Sequence, residues 1–118
     1  MSENQVTDLS YLREMAMGDE EIVKDTAKAF LENIPALICQ MNECYANETW
    51  QELRKLAHQI KSNMSYMGMD EGRSIVLDIE NQIKNNNISK KLGAQLSEFE
   101  QICNHACNEL TSKLKELN

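Results

Sequence analysis

LRKLAHQIKSNMSYMG, residues 53–68, decides how the chain is read, because its apolar residues keep the three-and-four spacing of a helix. On a wheel of about 100° per residue, Leu53, Leu56, Ala57, Ile60, Met64 and Met67 fall on one arc and His58 on the opposite one. The arc is a core face. Arg54, Lys55, Lys61, Ser62 and Ser65 gather around the histidine, since positions three, four and seven apart share a side. His58 is therefore expected to face solvent from a polar, cationic and sterically small patch, on a helix that runs from Asn47 to Met67 and is closed by Gly68.

Other helices flank this one. Asp19 is suited to cap a helix with Ile22, Val23, Phe30, Leu31, Ile34, Leu37, Ile38, Met41 and Tyr45 on its buried face. Pro35 has no N–H to give to Leu31, so a kink or break is expected there. A short helix from Thr7 or Asp8 to Gly18 precedes it, with Leu9, Leu12 and Met15 or Ala16 as its stripe. Downstream, Asp70 opens a helix carrying Ile75, Val76, Ile79 and Ile83, and KNNN at 84–87 reads as a loop. The last helix, from about Ser89 to the C-terminus, places Leu92, Leu96, Phe99, Ile102, Cys103, Ala106, Leu110, Leu114 and Leu117 on one side.

Such stripes can be buried only against one another, which predicts an all-α fold: an antiparallel four-helix bundle with a short additional N-terminal helix. The 118 residues suit a single domain over 1–118. One proline, four glycines and the lack of an alternating Val/Ile/Thr segment agree with this reading.

The 19 acidic residues against 12 basic ones give a net charge of -7, which repels phosphate backbones and anionic headgroups. No nucleic-acid or membrane partner is expected. MSENQVTDLS lacks the apolar run of a secretory signal, and no stretch approaches the ~20 apolar residues of a membrane span; a cytoplasmic location is the expectation. In that compartment Cys39, Cys44, Cys103 and Cys107 should be free thiols.

Against this acidic background, the chain from Leu53 to Met69 has three basic residues and no acidic one. A local anion site is implied. A neutral imidazole nitrogen is a competent phosphoryl acceptor, and Lys61, one turn along from His58, is placed to meet phosphate oxygens. By position alone, a surface histidine on a merely solvated helix face is the better reading.

Ala57, His58, Gln59, Ile60, Lys61 and Ser62, followed by Met67 and Gly68, resemble the core pattern of the histidine-containing phosphotransfer (HPt) domain family. The similarity extends to LSYLREMAMGDEE at 9–21, AFLENIP at 29–35 and TWQELRKLAH at 49–58, about the first two thirds of the chain, whereas the last helix fits only as a generic bundle element. The resemblance implies a phosphorelay intermediate in which His58 is phosphorylated by a receiver-domain aspartate, Lys61 stabilises the phosphate and Ser62 is the small residue beside the ring, where many members have glycine. It implies response-regulator receiver domains and a hybrid histidine kinase as partners of a monomer. Arg54, Lys55, Ser65 and Tyr66 are the expected binding residues.

There is no glycine-rich phosphate loop and no acidic cluster with metal-ligand spacing. No cofactor or metal is expected on this chain, Mg²⁺ being brought by the receiver. It is not expected to act as an enzyme, and an autokinase would need an ATP-binding domain for which no residues remain. A metal or redox bundle built on CNHAC, residues 103–107, is disfavoured because His105 lies opposite the stripe that contains Cys103. A helical adaptor that binds receiver or kinase domains without carrying phosphate is the alternative, and the presence of both His58 and Lys61 argues against it.

Overall fold

The computed structural model describes residues 5–117 and contains five helices: α1 (Ser10–Met15), α2 (Glu20–Asn47), α3 (Trp50–Tyr66), α4 (Asp70–Lys84) and α5 (Leu92–Leu117). Each of α2 to α5 packs on its sequence neighbour and α5 returns to α2, while α1 rests on α2. The all-α bundle with an added N-terminal helix is thus the observed architecture. Its longest dimension is 44 Å, about the length that the 28 residues of α2 span at 1.5 Å each. No described helix is long and apolar enough to cross a membrane.

Local chemistry sets the boundaries. Asp19 Oδ1 accepts from the backbone N–H groups of Glu21 and Ile22, at 2.9 and 3.4 Å, and Glu20 and Glu21 lie in the first turn, where the helix dipole favours negative charge. α2 continues through Pro35 to Asn47, so the break considered at Pro35 does not occur. Asn47 ends this helix and does not open the next. Glu48 turns left-handed at φ 56°, and the N–H groups of Glu48 and Thr49 close back on the carbonyls of Tyr45 and Cys44. The Thr49 hydroxyl follows the Cys44 carbonyl, at 3.4 Å, and leaves α3 without a side-chain cap.

Three further helix ends close similarly, with Met17, Gly68 and Asn86 at positive φ. At the front of α1, Asp8 Oδ1 accepts from Ser10 N–H, whereas Thr7 is occupied elsewhere. α5 begins at Leu92, three residues later than expected, after a turn in which Ser89 Oγ accepts from the Lys91 N–H.

Most of the expected stripes form one core. Ile22 and Tyr45, expected to be buried, are exposed, and of the Met15/Ala16 pair Ala16 faces inward. Leu31, Leu37, Leu56 and Ile75 are half-buried at the margins. The side chain of Leu117 lies outside the described residues. Cys103 is buried, and burial, followed by the nearby Cys107 and Glu100, pushes its thiol up to about 12. This is the behaviour of a packing residue, not of a thiolate ligand.

Gly68 connects α3 to α4 at φ +64°, and a Cβ there would overlap the carbonyl oxygen of Asp8. Gly18 has φ +81° with open space around it. Gly68→Ala should therefore cost about 3 kcal/mol or more, combining left-handed strain with overpacking, and Gly18→Ala only about 1–2 kcal/mol. Denaturant unfolding of the two variants measures the difference, and equal losses would contradict the packing described at Gly68.

Candidate functional site

His58 stands mid-way along α3 with its side chain 67% exposed, as the wheel requires. Its Nδ1 lies 2.7 Å from Oε2 of Glu80 on α4, and Lys61 Nζ donates to Oε1 of the same carboxylate at 3.2 Å. Glu80 itself is largely buried, its side chain 11% exposed. Burial alone would raise the pKa of this carboxyl, but the bonds from His58 and Lys61 outweigh it and hold the value below the ordinary one. Glu80 is thus an anion under the ring.

An ionised carboxylate only accepts, so in the neutral ring the proton must sit on Nδ1 and the lone pair on Nε2. Nε2 has no hydrogen-bond partner among the described residues. The arrangement is that of a nucleophilic nitrogen facing solvent, backed by a fixed negative charge on the other side of the ring.

Glu80 corrects the expectation of an uncompensated cationic patch. Lys61 is half-buried and paired with Glu80. Lys55 pairs with Glu52 at 3.6 Å, and Arg54 Nε donates to Gln51 at 3.0 Å. The acids come from α4 and from one residue before the segment 53–69, which a wheel of that segment alone omits. Glu80 did leave a trace: it lies four residues after Val76 and three before Ile83, a charge on the apolar stripe of its own helix, and a charge in such a place needs partners.

Ser62 is exposed one turn beyond His58 and is a small side chain at that place. A back-bond to the preceding turn is made by Ser65, whose Oγ donates to Lys61 O at 3.5 Å. Ser65 Oγ also accepts from Arg73 Nε on α4 at 3.0 Å, which partly covers it. Tyr66 stacks on Tyr11 of α1, ring centroids 6.3 Å apart. Beside this pair, Leu12, Met15, Ala16, Ile22, Thr26 and Tyr66 line an open apolar groove of about 340 Å³. The exposed Ile22 is one wall of it, which accounts for an apolar residue outside the core. Tyr66 is eight residues beyond His58, about 12 Å along the helix, so the groove begins about two turns from the ring, at the C-terminal end of α3.

The remaining histidine, His105, is on α5, 3.3 Å from Glu109. Among the described residues no group of three or more His, Cys, Asp or Glu is disposed to hold a metal ion.

The Hpt domain family matches residues 25–117. The match includes His58 and its surroundings and runs through α5, further than the sequence resemblance reached, while the stretch 9–21 lies outside it. No curated protein and no solved structure matches the chain.

The tautomer is open to direct measurement. In ¹H–¹⁵N spectra at alkaline pH, where the ring is neutral, wild-type His58 should carry its proton on Nδ1, and Glu80→Ala should shift the population towards the Nε2–H form. The same tautomer ratio in both proteins would exclude Glu80 as the group that orients the ring.

Proposed function

The chain belongs to the Hpt domain family, whose members are histidine phosphotransfer modules and phosphocarriers rather than catalysts, and on that premise we propose that it is a phosphorelay intermediate in which His58 takes a phosphoryl group from a receiver-domain aspartate and passes it to another receiver. One observation carries the reading: Nδ1 is engaged by Glu80 while Nε2, on a ring open to solvent, has no partner among the described residues.

In the forward step the Nε2 lone pair attacks phosphorus, the N–P bond forms as the bond to the aspartyl oxygen breaks, and the aspartate leaves as a carboxylate. The proton stays on Nδ1. The ring becomes a phosphorylated imidazolium whose positive charge faces Glu80, so the carboxylate stabilises the charge that the transfer creates. In the reverse direction the protonated ring is a good leaving group from phosphorus. The same contact therefore serves both directions, as a relay intermediate requires.

Lys61 has the role of a phosphate clamp that exchanges partners. It donates to Glu80 in the free protein and is one turn from the ring, so its ammonium can turn to the phosphoryl oxygens as they arrive. Mg²⁺ belongs to the receiver, where it neutralises the aspartyl phosphate. The receiver docks over Ser62 and Tyr66 and seats an apolar side chain in the groove between α1 and α2; Arg54, Lys55 and Ser65 lie at the edge of this footprint, and acidic residues elsewhere act only by steering. A hybrid histidine kinase supplies the first receiver, the protein works as a monomer, and the relay operates in the cytoplasm.

Incubation with a phosphorylated receiver and Mg²⁺ should label the wild type with acid-labile, alkali-stable phosphate and leave His58→Gln unlabelled. Lys61→Ala should slow transfer by roughly ten- to a hundredfold, the loss of one charge-assisted contact of about 1.5–3 kcal/mol. Label persisting in His58→Gln would refute the assignment, and a Lys61→Ala rate within about twofold of wild type would remove Lys61 from the site.

A further inference from the structure

A short strap, residues 5–9, is tied to α5 by Glu109 and Lys113. Glu109 Oε2 accepts from Val6 N–H at 2.7 Å, and Oε1 accepts from Thr7 N–H at 3.1 Å and from the Thr7 hydroxyl at 2.6 Å. Lys113 Nζ donates to the same hydroxyl at 2.9 Å, and His105 Nε2 is 3.3 Å from Glu109 Oε2. Asp8 N–H then donates to the carbonyl of Met67 at the end of α3, at 2.9 Å. Thr7, Leu9 and Leu12 are all buried.

What the strap holds is α1. This helix has six residues, far too few to be stable alone, and besides the Tyr11–Tyr66 stack it packs chiefly on α2, with Leu12 its buried leucine. Yet α1 supplies Tyr11, which stacks on Tyr66, and Met15, which lines the groove. Half of the surface offered to a partner is thus set in place by contacts on the α5 side of the molecule. Nothing in the phosphoryl chemistry at His58 uses Glu109.

We propose that Glu109 is a positioning residue for partner docking: by clamping Val6 and Thr7 it fixes α1 beside Tyr66, so that the docking face is preformed before the receiver arrives. The inference rests on the reading that a receiver docks at this face. A face competent in only a tenth of the molecules would weaken apparent docking about tenfold without touching the chemical step. Glu109 therefore acts on encounter, and His58, Glu80 and Lys61 act on transfer.

The test is saturation kinetics with the receiver domain that transfers fastest to the wild type, phosphorylated in the presence of Mg²⁺. In Glu109→Ala the half-saturating receiver concentration should rise about tenfold or more, while the rate at saturation stays within about twofold and labelling of His58 by phosphoramidate, which needs no docking face, is unchanged. Glu109→Gln, which keeps an oxygen able to accept from Val6 and Thr7, should recover part of the docking. Should Glu109→Ala fail to fold, Thr7→Val, which removes the hydroxyl at nearly constant volume, should still raise the half-saturating concentration severalfold. Unchanged half-saturation in these variants overturns the inference alone, as does an equal fall in saturated rate and phosphoramidate labelling, which would mark a general loss of structure. A wild type that accepts phosphate from no receiver overturns the phosphorelay reading, and the inference with it.

Discussion

A buried carboxylate is the constraint on which the site depends. Glu80 lies on the core-facing side of α4 with little exposure to water, a position that an unpaired charge could occupy only at a cost of several kcal/mol. His58 and Lys61, both on α3, are the groups that satisfy it. The pairing therefore locks two helices in register, and it imposes one orientation on an otherwise exposed imidazole. On the proposed function, stability and reactivity rest on the same three side chains. Weakening the contact to gain rotational freedom at the ring would leave a charge uncompensated beneath it.

The rest of the fold makes that register possible. α3 and α4 are joined by a tight left-handed turn at Gly68 against which the carbonyl of Asp8 packs directly, and the first turn of α4 approaches Met64 closely at Gly72. With the two helices held so near each other at one end, residues on facing turns meet: Ser65 with Arg73, then His58 and Lys61 with Glu80. The same turn also fixes the strap, through Asp8 and Met67. The ring and the aromatic pair of Tyr11 and Tyr66 are thus referred to one structural corner.

Most of the helices and the core faces were legible in the sequence, because an apolar stripe at helical spacing has few alternatives to burial. The ends of helices were less so. Asn47 has the chemistry of a cap, but the chain stays helical through it and turns at Glu48, a residue without a glycine's freedom. At the site, His58, its exposure and the nearness of Lys61 followed from one helix. Glu80 did not, since the histidine's true neighbour is 22 residues away and only helix pairing brings it near. Ile22 illustrates the same limit: a stripe marks an apolar residue, and only the packed bundle distinguishes core from groove.

The central claim is that Glu80 holds Nδ1 and so dedicates Nε2 to phosphate. It is tested most directly by the regiochemistry of the phosphohistidine, read from the ¹⁵N shifts of histidine-labelled protein after transfer from a phosphorylated receiver. Phosphorus bonded to Nε2 of His58, with Nδ1 still protonated, is the result expected. Phosphate on Nδ1 of His58, or on His105, would contradict it.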